Sequence, residues 1–255
     1  MQSTLFLITA RGGSKGIPGK NVKPLDGRPL VTLAVDVARA VADPAAGDAV
    51  CLSTDDDAIA AAAEAHGLAV PFRRPAELAS DTAGSYEVLL HALDWYGARG
   101  EQFDRLVLLQ PTSPFRQPEH VRGALAVYAG GAADGRPYEL VVSVKVTEAN
   151  PYYVLREEDE AGFLVPSKPA TFARRQDAPT VYEYNGAVYV IDVAALRARP
   201  LHQLRRVGRF VMDRVTSTDL DTPLDWAWAE FLLGHGMASL PPLTAAPATG
   251  AALSR

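Results

Sequence analysis

The chain has 255 residues, 48% of them hydrophobic and 22% charged, which suits one globular domain with a sizeable core and excludes wholesale disorder. Its formal net charge of -5 gives no overall field that attracts nucleic acid, so an anionic ligand has to be held by local charge. The single cysteine, Cys51, rules out an internal disulfide, the five histidines show no metal-ligand spacing, and no run approaches the roughly 18 apolar residues of a membrane span.

In chain order, residues 4–9 form a Val, Ile or Leu-rich run of the kind found in strands buried on both faces. The glycine-rich, basic stretch ARGGSKGIPGKN (10–21) follows directly, and then an amphipathic segment over 29–41. The pattern repeats as strands over 49–54, 105–110 and 140–145 and helices over 57–66, 85–96 and 118–128. Asp55 to Asp57 and Asp81–Thr82 stand where N-caps belong, and Asp55 and Asp56 read more readily as caps than as catalytic acids. This alternation predicts an α/β fold with a doubly wound, mainly parallel sheet. Residues 146–184 break the rhythm with prolines, aromatics and charges and read as an insert, and a further helix is expected over 226–233. From 237 to 255 the composition shifts to Pro, Ala, Thr, Gly and Ser, which predicts a disordered tail after a single domain over 1–236. The apolar run 5–10 is too short for a signal peptide, so the chain reads as cytoplasmic, with neither membrane nor nucleic acid as a partner.

The loop is the strongest chemical signal. It leaves the carboxyl end of the first strand, where open α/β sheets bind ligands. It holds Arg11, Lys15 and Lys20, with Lys23 just beyond, and no acidic residue precedes Leu25. Its glycines, Gly12 among them, permit the close backbone approach that phosphate oxygens require. It is not a P-loop, because Asn21 stands where the metal-binding hydroxyl belongs. Nor is it the GxGxxG fingerprint of dinucleotide enzymes. A free nucleoside triphosphate is the remaining ligand. Near the C-terminus, Asp219 and Asp221 lie two apart, so an extended segment presents both carboxylates on one side, as a hard cation needs. The alternative is that they cap the helix that follows.

ARGGSKGIPGKN resembles the signature of the acylneuraminate cytidylyltransferases. RPAELASDTAGS (74–85), LLQPTSPFR (108–116), RRQDAP (174–179) with NGAVYV (185–190), and STDLDTPLD (217–225) match the family in the same order. The resemblance covers about the first 230 residues. It implies a nucleotide-diphospho-sugar transferase fold, transfer of CMP from CTP to an acidic nonulosonic sugar, release of pyrophosphate, and Mg²⁺ or Mn²⁺ as cofactor. It also implies a homodimer built through the insert. Carried over, Arg11, Gly12, Ser14, Lys20 and Asn21 line the triphosphate and ribose, and Arg74, Ala83 and Ser85 the base and its surroundings. Gln110, Ser113, Arg116, Tyr153, Arg175, Gln176, Tyr184 and Asn185 fall to the acceptor, with Arg175 reaching across the dimer. Asp219 and Asp221 fall to the metal, with Arg11, Lys20 and Asp221 catalytic. Tyr153 and Glu183 replace cations found in the bacterial sialate enzymes, which leaves a legionaminate-like acid as plausible an acceptor as sialic acid. Two rival readings are a cytidylyltransferase for Kdo or another small acid, and a nucleotide-binding regulator without turnover.

Overall fold

The structure is a computed structural model and describes residues 2–80, 84–169, 171 and 174–244. The elements run β1 (Thr4–Thr9), a short β2 (Pro24–Leu25) and β3 (Arg28–Pro29) ladder, α1 (Leu30–Val41), β4 (Ala49–Ser53), α2 (Asp57–Ala65) and α3 (Ser85–Gly97). Then come β5 (Arg105–Leu109), α4 (Pro118–Gly130), β6 (Leu140–Val146), β7 (Arg156–Glu158), β8 (Leu164–Pro166), β9 (Tyr182–Asp192), α5 (Val193–Ala198), β10 (Val207–Val211) and α6 (Pro223–Gly234).

The main sheet has the order β10-β6-β9-β5-β1-β4. β4, β1 and β5 pair in parallel, as do β10 and β6, while β9 runs antiparallel to both its neighbours. The sheet is therefore mainly parallel, as expected. Helices cover both faces: α1, α2 and α4 contribute to one apolar cluster and α3 and α5 to the other. β1 is an unbroken apolar run because both of its faces are covered. Fully burying each Leu or Ile of this kind contributes about 1.5–3 kcal/mol.

Capping sets the helix starts. Asp56 accepts from Ile59 N–H at 2.9 Å and caps α2, as expected. Asp55 is not a cap: its Oδ1 accepts the Gly12 N–H at 3.1 Å. α6 is capped by Thr222 in a reciprocal box with Asp225, which leaves Asp219 and Asp221 outside that role. Asp81–Thr82 lie outside the described residues.

Three expectations change. β9 and β10 are absent from the strands marked by the sequence, and the insert's upper limit at 184 falls inside β9, so residues 182–184 belong to the sheet. The tail does not begin at 237. Ala238 and Leu240 pack on a third apolar cluster that contains Ile17, Phe115, Leu220 and Trp226. Asp36 on α1 is fully buried and accepts from Arg28 at 2.5 Å and from Thr244 N–H and Oγ1 at 3.0 and 2.7 Å, with His66 at 2.9 Å. Arg28 also donates to the Pro241 carbonyl at 2.6 Å. Composition misled here because a buried carboxylate far away in the chain adds hydrogen bonds to the few apolar contacts that the segment makes. No helix among the described residues is long and apolar enough to cross a membrane.

Burial raises the Asp36 pKa, but hydrogen bonds from Thr244 and His66 outweigh it and hold the carboxyl below its ordinary value. A depressed carboxylate stabilises the fold above its unfolded pKa and loses that contribution as pH falls through the folded one. Ending the chain after Gly236 should lower the unfolding free energy by about 2–4 kcal/mol, and Thr244→Val by about 1 kcal/mol. Urea melts of both variants measure this, and the difference from wild type should shrink as the pH falls below 4 or so.

Candidate active site

The carboxyl ends of β1 and β5 open onto two adjoining pockets that share Thr9 and Arg11. The larger has a volume of about 520 Å³ and is lined by Arg11, Ser14, Lys20 and Asn21 from the first loop, Gln110 from the end of β5, and Asp219 and Asp221. The smaller, about 270 Å³, is lined by Arg74, Ser80, Ser85 and Leu108 among others. The fold thus brings both ends of the expected constellation together.

The loop is shaped by internal bonds. Asn21 is buried, and its Nδ2 donates to the Arg11 carbonyl at 3.0 Å, tying the loop's end to its start. Ser14 N–H donates to the Gly12 carbonyl at 2.9 Å. Since Gly12 gives its own N–H to Asp55, Gly12 is not the open phosphate donor expected of it. Gly16 has a different constraint: a Cβ there would lie 2.0 Å from the Asp221 carbonyl oxygen. Loop and acidic segment are in direct contact. Lys20 is buried and donates to Asp221 Oδ1 at 2.9 Å and to the Leu220 carbonyl at 2.5 Å.

The two aspartates differ. Asp221 is largely exposed. Asp219 is mostly buried, and its Oδ1 is among the buried polar atoms that lack a partner. Burial pushes the Asp219 carboxyl above its usual pKa; a Thr112 hydrogen bond and Lys20 oppose the rise, and the like charge of Asp221 adds to it. An orphaned, desolvated carboxylate oxygen beside an exposed carboxylate is a donor set that favours a cation. Among the described residues no group of three or more His, Cys, Asp or Glu side chains converges on a metal position. Asp219 and Asp221 are the two carboxylates lining the larger pocket that could hold a hard cation.

Arg74 is buried and donates to Ser53 Oγ at 3.1 Å and to the Ser53 carbonyl at 2.6 Å, which fixes its guanidinium in the smaller pocket. Burial lowers its pKa, Asp55 opposes that, and Arg11 adds to it. Ser85 opens α3 beside it. Ala83 lies outside the described residues.

Three residues expected on the acceptor side are buried in the structure. Arg116 is fully buried and donates from Nη1 to the carbonyls of Gln110 and Ala187, both at 2.8 Å, so that nitrogen is used within the protein. Burial pushes its pKa down to about 9, which still leaves it charged at neutral pH. Asn185 is buried, and its amide is used within the protein: Oδ1 accepts from Ser143 Oγ and Ala187 N–H, and Nδ2 donates to Ser217 Oγ and Met212 Sδ. Ser113 is also buried. Gln110 keeps its place in the larger pocket.

Tyr184 is exposed near the start of β9, with its ring centroid 6.4 Å from that of Tyr189. Tyr189 has its pKa raised by burial, then by Tyr184 and Asp219. Thr112, which the sequence does not single out, also lines the larger pocket. Glu183 pairs with Lys145 at 3.2 Å, so the lost cation at 183 is partly offset by a neighbouring strand. Tyr153, Arg175 and Gln176 sit on the insert and line neither pocket of their own chain. Arg174 forms an ion pair with Asp177 at 2.8 Å.

Comparison with known proteins matches this geometry. The family described as "Cytidylyltransferase" fits residues 5–219. The chain is 32% identical to a CMP-N,N'-diacetyllegionaminic acid synthase of Legionella pneumophila, over 90% of this chain and 95% of that protein. It is also 32% identical to an N-acylneuraminate cytidylyltransferase of Escherichia coli over 88% of this chain, a match that spans 51% of that longer protein. The fold is shared with a solved CMP:2-keto-3-deoxy-manno-octonic acid synthetase complexed with CTP, at 20% identity, covering 92% of this chain and 100% of that one with a TM-score of 0.65. With its basic loop and paired aspartates at the strand ends, the chain belongs to the cytidylyltransferase family and is a nucleotidyltransferase.

Proposed function

We propose that the protein transfers CMP from CTP to the anomeric hydroxyl of a nonulosonic acid. The observation that carries this reading is the junction of a cationic loop and a carboxylate pair, with Lys20 2.9 Å from Asp221, in a family member about a third identical to legionaminate and sialate enzymes. The smaller pocket takes the base, held beside Arg74 and Ser85, and the larger takes the triphosphate along Arg11, Ser14, Lys20 and Asn21.

The anomeric oxygen forms a bond to the α-phosphorus, the bond to the bridging oxygen breaks, and pyrophosphate leaves with the electron pair. Negative charge grows on the leaving group, and Arg11 and Lys20 offset it, so catalysis is chiefly positioning and electrostatics. Asp219 and Asp221 would hold Mg²⁺, which when bound neutralises phosphate charge and polarises the oxygens it touches. Asp221, the more exposed acid, takes the hydroxyl proton. Gln110 donates to and accepts from polar groups of the sugar, and Tyr184 and Tyr189 give it an aromatic wall.

The insert serves a second copy of the chain. Phe163 and Leu164 in the β7–β8 hairpin are 70% and 71% exposed, and Leu155 and Val165 lie exposed beside them, an apolar surface that a partner buries. Arg175 and Gln176 then reach the partner's cleft, where a guanidinium fork suits the acceptor's carboxylate. No membrane or nucleic acid takes part, and a cytoplasmic setting fits a chain that draws on CTP.

Pyrophosphate release with CTP and Mg²⁺ should appear only when a 2-ulosonic acid is added; a panel of sialic, legionaminic and related acids together with Kdo names the acceptor, and no product from any of them would sink the reading. Asp221→Asn should cut turnover by about 10²–10⁴-fold while CTP affinity by calorimetry stays within about tenfold, near 1.4 kcal/mol. Gly16→Ala should weaken CTP binding by about tenfold or more, with far-UV circular dichroism unchanged, because the loop has to back away from the Asp221 carbonyl. Leu164→Asp should sediment as a monomer and lose turnover while still binding CTP.

A further inference from the structure

β9 carries a bulge that sits at the cleft. Val142 on β6 faces Tyr189 and Val144 faces Tyr184, so Ser143 alone stands opposite residues 185–188. Bulges of this kind leave backbone groups without ladder partners, and buried ones must be satisfied by other means. Three buried side chains do so. Ser143 Oγ accepts from Val188 N–H at 2.7 Å and donates to Asn185 Oδ1 at 2.6 Å. Asn185 Oδ1 also accepts from Ala187 N–H at 3.2 Å, and Arg116 donates to the Ala187 carbonyl.

The same side chains reach outward to both sides of the cleft. Arg116 holds the Gln110 carbonyl with the same Nη1. Asn185 Nδ2 donates to Ser217 Oγ at 2.9 Å, two residues before Asp219. At the tip, Gly186 has φ +73, a backbone conformation that strains any side chain, and a Cβ there would lie 2.7 Å from Gln110 Oε1, which would have to shift, and in ordinary contact, 3.8 Å, with Asp219 Oδ2. Gly186 thus lies beside both Gln110 and Asp219. Burying a guanidinium with no acid against it is expensive, and here its bonds join β5, β9 and the turn after β5.

We propose that the β9 bulge, braced by Ser143, Asn185 and Arg116, is a positioning device that fixes Gln110 relative to Asp219, and so sets the acceptor against the α-phosphate. All three braces are buried behind the cleft residues they hold. The inference rests on the proposed CMP transfer for its kinetic readout, but not for its binding readout. Among the described residues the first loop and Arg74, on which the nucleotide half is built, make no hydrogen bond to the three braces, and that half should be unaffected.

The test compares Gly186→Ala, Asn185→Ala and the pair Arg116→Met and Arg116→Lys, using full-length protein with CTP, the acid taken by wild type, and thermal melts. Gly186→Ala should lower kcat/KM for the acid by about 100-fold, the cost of a misplacement near 1 Å, with the KM for CTP within about threefold. Arg116→Lys should recover part of what Arg116→Met loses. Mn²⁺ binding to the enzyme–CTP complex, read by electron paramagnetic resonance, should weaken in Asn185→Ala. If Gly186→Ala keeps kcat/KM for the acid within about twofold, or if CTP and acid parameters fall together in every variant, the inference is overturned. If wild type turns over no acid, the proposed transfer fails, and Mn²⁺ affinity decides the positioning alone: equal affinity in wild type and Asn185→Ala overturns it.

Discussion

The site depends on one junction between the ends of the chain. Lys20 reaches Asp221 and the Leu220 carbonyl, and Gly16 leaves the space that the Asp221 carbonyl fills. Neither segment makes a site alone: the loop offers only positive charge and the aspartates only negative. Their contact sets opposite charges side by side at the mouth of a cleft whose walls are protein, where electrostatic interactions are stronger than in water. Beneath it, Ile17 and Leu220 share an apolar cluster with Phe115 and Trp226, so the charged junction rests on a packed base. The segment over 237–244 closes that base from outside through Asp36. Stability and chemistry therefore meet in the same third of the molecule.

Buried polar groups carry the rest of the site's precision. Arg116, Asn185, Arg74 and Lys20 are all buried, and each donates to a backbone carbonyl or another side chain. A buried polar network of this kind holds a shape only if its members are satisfied. Donors in the cleft region thus divide into those that face the space for substrate and those that hold its walls, and residue type alone does not distinguish them.

This division marks the limit of what the sequence makes legible. The four parallel strands and the helices between them followed from apolar runs and capping residues, which depend on near neighbours in the chain. The loop and the aspartate pair were legible because their charge pattern departs from that of the whole chain. The burial of Arg116 and Asn185 was not legible, because motif membership does not say whether a side chain is exposed in a cleft or packed behind it. β9 was missed because it follows the irregular insert and because an antiparallel strand between two parallel ones gives no local sign of its place. The segment over 237–244 was misread since its anchor, Asp36, lies about two hundred residues earlier.

The place of β9 also has a consequence for how the molecule is made. Its partners are β5 and β6, both of which leave the ribosome before it. Until residue 192 has emerged, the sheet exists as two parts, β4-β1-β5 and β6 awaiting β10, each with an unpaired apolar edge. Such edges are templates for pairing with other chains. The eleven residues of β9 close both at once, so the nascent protein is most exposed to aggregation while the insert is being synthesised, and chaperone demand should concentrate in that interval.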